Sequence, residues 1–266
     1  MTAAPDCATP SAVIDRVDLV LKAFDGPGPL SLAQVVRRTG LPRSSAHRIL
    51  DRLVRLRWVR RDGRDYALGM RLVELGSLAV HQDRLHRAAR PLLHDLHRAT
   101  GLVVHLAVLE GADVVYLDKI GLGMAEAIPS RVGQRQPAHC TAVGKAILAH
   151  VEALPRLNLS TRRTKQSITT SDQLRNELSA VRTRGVAFDR EECAPGYGCV
   201  AAPIRGTGHA VAALSVCGPS QRVAFDQRLV TPVRMTAMAI WRSLEAESAR
   251  SATALPHMGP RRALGA

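Results

Sequence analysis

The 266-residue chain carries 37 lysines and arginines against 23 acids, a net charge of +14 that favours a polyanionic partner without choosing among DNA, RNA and anionic lipid. Its length suffices for two modest domains, each with its own core. No run of about twenty apolar residues is present, and residues 1–10 lack the basic start and apolar stretch of a secretory leader, so a cytosolic protein with no membrane partner is expected.

Residues 1–10 read as a disordered tail, being small, polar and proline-containing. Val13, Val17, Val20, Leu21 and Phe24 then mark an amphipathic helix, stopped by Gly26-Pro27-Gly28-Pro29. Ser31-Leu32-Ala33-Gln34 is a capping box, in which serine and glutamine side chains satisfy each other's free backbone N–H groups. It opens a short helix that ends at Thr39, with Gly40 as its left-handed terminus and Pro42 as a first-turn residue of the next. From Pro42 to Arg57 one face holds Ala46, Ile49, Leu50, Leu53 and Leu56, and the other holds Arg43, Ser44, Ser45, His47, Arg48, Arg52 and Arg55. Val59 to Leu68 reads as a hairpin turning at Asp62-Gly63, with Arg60, Arg61 and Arg64 around its tip.

That order is a winged helix-turn-helix over residues 11–69. Between Arg37 and Arg64 there are ten arginines and only Asp51 and Asp62 as acids, a local excess that suits the phosphates of double-stranded DNA. Side chains near the start of such a second helix reach base edges in the major groove, where arginine pairs bidentately with guanine. Ser31, Arg43, Ser44, Ser45, His47, Arg48 and Arg52 are therefore the expected DNA contacts on the helices, and Arg60, Arg61 and Arg64 those on the hairpin.

Residues 70–90 read as a linker helix with Leu72, Leu75, Leu78 and Ala79 apolar and no partner inside so small a winged domain, and it is expected to join subunits. A second domain is expected over residues 91–248. It starts with a helix from Pro91 to Gly101, then two β-branched runs, residues 102–109 and 114–120, joined by a turn at Glu110-Gly111-Ala112-Asp113. Thr141 to about His150 looks helical, and Thr170-Ser171-Asp172-Gln173 opens a helix ending at Gly185. Strands follow at residues 186–188, 199–204 and 210–216, then a long helix from about Gln221 to Glu247 and a disordered tail over residues 249–266. The domain is thus α+β, an antiparallel sheet flanked by helices.

Enzyme motifs fail on their details. Val143-Gly144-Lys145-Ala146 lacks the earlier glycine and the serine or threonine of a phosphate-binding loop, Ser215 has no nucleophile-elbow glycines, and Gly121-Leu122-Gly123 lacks the third glycine of a dinucleotide site. Asp189, Glu191 and Glu192 are expected to be a solvated loop cluster rather than an acid–base pair. Cys7, Cys140, Cys193, Cys199 and Cys217 are odd in number and show no CxxC spacing, so reduced thiols are expected, with no disulfide framework, metal or cofactor. No enzyme is predicted. An architectural DNA-binding protein without sequence preference and an enzyme with a DNA-binding appendage are the competing classes.

Three motifs in order sharpen the reading: Gly133-Gln134-Arg135-Gln136-Pro137-Ala138-His139-Cys140-Thr141-Ala142-Val143-Gly144-Lys145-Ala146; Arg184 to Glu192 with Gly196-Tyr197-Gly198-Cys199-Val200-Ala201-Ala202-Pro203-Ile204; and Ala213-Leu214-Ser215-Val216-Cys217-Gly218-Pro219. With the winged segment they make the chain resemble an IclR-family transcriptional regulator from about residue 12 to 247. The resemblance implies a GAF-like effector-binding domain, homodimers or dimers of dimers, and a ligand-responsive regulator, taken here as a repressor, on a near-palindromic operator. By position it implies an effector pocket lined by Ala142, Val143, Asp189, Cys199, Ser215 and Cys217. Strand alternation puts Ser215 and Cys217 on one face, and the N–H groups near Ala142 suit an anion. Gln136 stands where the family usually has an apolar residue, and Ala142-Val143 is bulkier than the pair found where small keto acids bind. A moderately apolar organic acid or aromatic metabolite is the expected small-molecule effector.

Overall fold

The computed structural model describes residues 12–223 and 227–253. The tail expected over residues 1–10 and most of that over 249–266 lie outside these. The chain divides after Gln82 into two compact units.

The first unit begins with α1 (Val13–Lys22), followed by β1 (Leu30–Ser31), α2 (Leu32–Thr39), α3 (Arg43–Arg55), β2 (Val59–Asp62), β3 (Asp65–Leu68) and α4 (Met70–Gln82). The three strands form a small antiparallel sheet in the order β1-β3-β2. The capping box forms as read: Ser31 N–H donates to Gln34 Oε1 at 2.7 Å, and Gln34 N–H donates to Ser31 Oγ at 3.4 Å. Gly40 ends α2 with φ 68°. Val20, Leu30, Val35, Ala46, Leu50, Leu53, Val59 and Tyr66 pack into one core.

Two local expectations are corrected. Pro42 caps α3 with extended backbone, ψ 138°, and the helix proper starts at Arg43. Asp62 pairs with Asp65, so the hairpin turns at Gly63-Arg64, one residue later than the Asp-Gly dipeptide suggested, and Gly63 supplies the positive φ of 57°.

The helix expected through residue 90 stops at Gln82. Asp83 starts a new one, its carboxylate accepting the His86 N–H at 2.6 Å, which makes α5 run over Arg84–Thr100. Pro91, expected to open that helix, lies inside it and removes one backbone hydrogen bond.

The second unit continues with β4 (Val103–Glu110), β5 (Asp113–Ile120), α6 (Met124–Ala127), β6 (Arg135–Pro137), a 3-10 turn (Ala138–Cys140) and α7 (Ala142–Leu148). After α8 (Ser171–Arg184) come β7 (Ala187–Arg190), β8 (Tyr197–Ile204), β9 (Ala212–Pro219), α9 (Ser220–Val223) and α10 (Val230–Thr253). The six strands form one antiparallel sheet in the order β6-β5-β4-β9-β8-β7.

Alternation along the strands splits the core in two. Val104, Leu106, Val200, Ala202, Leu214 and Val216 face α5 and α10, with Leu93, Val233 and Ile240 across from them. Ala107, Tyr116, Ala201 and Ala213 face α7 and α8. The α+β class with helices on an antiparallel sheet is therefore observed, and β6 is a strand that composition did not mark. The closing helix is not continuous from residue 221. It resumes at Val230, which places Pro232 in its first turn, where a missing N–H costs nothing, and it extends to Thr253, past the expected end.

Candidate functional site

In the first unit a groove opens between the start of α2, the start of α3 and the hairpin. Ser31, Leu32, Ala33, Arg43, Ser44, His47, Arg61, Arg64 and Tyr66 line it. Six of the ten expected DNA contacts meet here. Arg48, Arg52 and Arg60 lie outside the groove but are exposed, on α3 and β2, whereas Ser45 is half-buried beside Ala46.

The guanidinium groups divide into held and available ones. Arg38 donates to the Ala23 carbonyl at 2.7 Å, and Arg61 donates to the Gly63 carbonyl at 3.0 Å while lying over the Tyr66 ring at 5.6 Å. Arg43 and Arg48 are exposed and make no ion pair or side-chain hydrogen bond among the described residues. His47 is 3.3 Å from Asp51, one turn on, a pairing the sequence reading did not weigh. The fork of donors that arginine offers to phosphates and guanine edges is thus turned outward at the N-terminal end of α3.

The second unit holds a cavity between α7 and the sheet, with about 470 Å³ of empty space including its mouth. Ala142, Val143, Asp189, Cys199, Ser215 and Cys217, the six residues expected around an effector, all line this cavity. They come from α7 and three adjacent strands, because Cys199, Cys217, Ser215 and His105 share one face of the sheet. Cys199 pairs in register with Cys217, and Ser215 with His105.

The remaining lining residues were not foreseen. His105 donates to or accepts from Ser130 Oγ at 2.8 Å, and its ring centroid lies 5.0 Å from that of Tyr116. Burial, reinforced by the charge of Lys119, pulls the His105 imidazole down to about 3, so it is neutral at ordinary pH. Lys119 Nζ donates to the carbonyls of Ile128 and Ser130, and Tyr197 Oη donates to the Ala127 carbonyl at 2.8 Å, which together hold the 127–130 segment over the cavity. Gln136 and Thr141 complete the polar lining. Among the described residues no lysine or arginine lines it.

Of the three acids expected to be solvated, Glu191 stays near the surface, its carboxylate accepting from the Gly196 N–H at 2.9 Å and the Ser220 hydroxyl at 2.6 Å, but Asp189 and Glu192 do not. Asp189 lies in the strand and is buried, its Oδ1 accepting the N–H groups of Glu192 at 2.7 Å and Cys193 at 3.4 Å. Burial, then the nearby Glu192, push its carboxyl up to about 7, with Lys145 opposing. Glu192 is also buried and receives the Lys145 ammonium at 2.6 and 2.7 Å. Lys145, only 1% exposed, belongs to the stretch dismissed as a failed phosphate loop. Its neighbour Gly144 is needed for packing: a Cβ there would sit 2.2 Å from the Ala138 carbonyl oxygen. Among the described residues no group of three or more His, Cys, Asp or Glu side chains is arranged to hold a metal ion.

A winged helix-turn-helix with outward arginines, joined in one chain to a unit with a mouthed cavity free of lysine and arginine among the described residues, defines a DNA-binding regulator that senses a small molecule. The comparisons agree in both halves. Residues 13–63 match the model described as the IclR helix-turn-helix domain, and residues 77–242 match that of the bacterial transcriptional regulator IclR C-terminal domain. The chain belongs to the IclR family of transcriptional regulators.

It is 32% identical over 219 residues to the HTH-type transcriptional regulator XynR of Escherichia coli (strain K12), covering 79% of this chain and 87% of that one. The transcriptional repressor IclR of the same organism is 29% identical over 210 residues, covering 75% and 77%. Among solved structures, an IclR homolog from Microbacterium hydrocarbonoxydans complexed with 4-hydroxybenzoate is similar with a TM-score of 0.76 and 30% identity, over 88% of this chain and all of that one. Among the described residues no helix is long and apolar enough to cross a membrane.

Proposed function

We propose that this regulator is a repressor that binds a near-palindromic operator as a homodimer or dimer of dimers, and that a small aromatic or other organic acid in the cavity of the second unit controls it. The start of α3 enters the major groove, where Arg43, Ser44, His47 and Arg48 meet base edges, and Arg61 and Arg64 meet phosphate. Ser31, Ser45, Arg52 and Arg60 position the backbone around them. Pairing of subunits falls to α4, which has no buried residue and exposes Met70, Val73 and Leu78 on a helix of 13 residues.

The observation that carries the effector reading is the chemistry of the cavity wall. It offers hydroxyls from Ser130, Thr141 and Ser215, a neutral imidazole and apolar surface from Val143, Ile128 and Tyr116, and, among the described residues, no lysine or arginine. An aromatic ring fits that apolar share, and a carboxylate is met by neutral donors, including the first N–H groups of α7. The raised carboxyl of Asp189 lets it hold a proton beside such an anion, which removes the repulsion an ordinary aspartate would exert. The 30%-identical relative complexed with 4-hydroxybenzoate supports this class of ligand. A ligand of this kind acts only through unequal affinity for two arrangements of the dimer.

Calorimetric titration of the full-length protein with 4-hydroxybenzoate and with benzoate at pH 6 to 8.5 tests the reading. Saturable binding that weakens up to about tenfold per pH unit above 7 is expected, because the ligand then competes with ionisation of Asp189. Absence of binding by either acid, or affinity that does not depend on pH, contradicts it.

A further inference from the structure

Four of the five cysteines lie in the second unit, and all four are free thiols. Three of them, Cys193, Cys199 and Cys217, line the cavity. Cys199 and Cys217 are register partners on the adjacent antiparallel strands β8 and β9, so their side chains leave the same face of the sheet. Directly opposed residues of such strands have Cα atoms about 4.5 or 5.5 Å apart, and both spacings fall within the roughly 4.4–6.8 Å that a disulfide accepts. Register pairing thus brings the two side chains side by side, at a Cα spacing of about the size a disulfide requires.

We propose that Cys199 and Cys217 form an oxidisable dithiol in the cavity wall, which closes to a cross-strand disulfide when hydrogen peroxide enters the cavity. Cys199, the more exposed of the two, is the attacking thiol, and Cys217, 3% exposed behind it, is the resolving one. The Cys199 sulfur attacks one peroxide oxygen and breaks the O–O bond, giving a sulfenic acid and one water. The Cys217 sulfur then displaces the sulfenic hydroxyl, forming the S–S bond and releasing a second water. The two thiols lose two electrons and two hydrogens; the peroxide takes up both.

The other two thiols, Cys140 and Cys193, also lie within side-chain contact of each other, but they are not register partners on paired strands. Cys140 lies in the 3-10 turn before α7 with its thiol directed to the Pro137 carbonyl, 3.5 Å away, and neither it nor Cys193 has a register partner. The neighbouring Cys217 thiol, then burial, hold Cys199 protonated, while attack on peroxide requires the thiolate. The site is therefore quiet near neutral pH and should close faster as pH rises.

The test uses the full chain carrying Cys7→Ser, treated with hydrogen peroxide at pH 7 and pH 9, alkylated, digested and mapped by mass spectrometry. The expected product is a peptide pair joined through Cys199 and Cys217, with the two thiol hydrogens missing, formed faster at pH 9 and reversed by dithiothreitol. In Cys217→Ser, dimedone should trap a sulfenic acid at Cys199; in Cys199→Ser, Cys217 should stay reduced. Recovery of both thiols as alkylated cysteines after peroxide overturns the proposal. So does a Cys140–Cys193 crosslink in place of the expected one, or oxidation of Cys199 to sulfinic acid while Cys217 remains free.

Discussion

Replacing Asp189 by Asn isolates the energetic consequence of burying an acid in the cavity wall. Asn keeps an oxygen for the Glu192 and Cys193 N–H groups and cannot ionise. In the native chain the carboxyl moves from 3.8 to about 7 on folding, so the folded state favours the protonated form. At pH below about 4 the group is neutral in both states and costs nothing. As pH rises, the unfolded chain gives up its proton first, and stability falls until the folded carboxyl also ionises near pH 7. About three decades in acid strength correspond to an upper bound of about 4 kcal/mol. Between pH 5 and pH 8 the variant should therefore gain about 2–3 kcal/mol on the native protein, and the difference should level off above pH 7.5. Urea unfolding followed by Trp241, which packs against the core of the second unit, reads this directly in a Trp58→Phe background. Stability curves that run parallel across that range, or a variant that loses ground with pH, would refute the reasoning.

Further outcomes follow from the same geometry. Arg48→Ala should cost about 1–3 kcal/mol on the preferred DNA sequence and relax base choice, whereas Arg64→Ala should weaken all sequences alike and reduce the salt slope by about one, both read by fluorescence anisotropy. Ser215→Leu fills the cavity and should abolish the response to 4-hydroxybenzoate while leaving DNA affinity within about twofold, because the winged unit has its own core and sites that share no partners act nearly independently; a normal response removes Ser215 from the site. Lys145→Met strands the Glu192 carboxylate and should cost about 3–5 kcal/mol in urea unfolding, of which Glu192→Gln in the same chain should recover a large part. If the two substitutions simply add, the buried pair is not the coupled unit described here.

The winged unit was legible because its signals are local. The capping box at Ser31, the left-handed Gly40 and the apolar stripe of α3 each act within a few residues, and they formed as read except that Leu56 caps the helix and is 44% exposed. Placement of the hairpin turn was not local: an Asp-Gly dipeptide marks a turn, but the pairing of Asp62 with Asp65 decides which residues occupy it. The break at Asp83 was missed because apolar periodicity continues across it, and a single capping aspartate carries little weight in a helical stretch. In the second unit, the resemblance located six lining residues, while His105, Tyr116 and Ser130 had no motif to mark them. Strand alternation offered one clue, since His105 stands opposite Ser215 and must share its face. Burial of Glu192 was illegible, as its partner Lys145 is 47 residues away and the two meet only once the sheet and α7 pack.

The central claim is that outward arginines on α3 read a particular DNA sequence under the control of the second unit's cavity. Its most direct measurement is anisotropy at matched salt on a duplex selected from random sequence by the full-length protein, with and without saturating 4-hydroxybenzoate. The account predicts binding at least about a thousandfold tighter than to random duplex, changed several-fold by the acid and only in chains with an unfilled cavity. Equal affinity for selected and random DNA, unmoved by the acid, would contradict it.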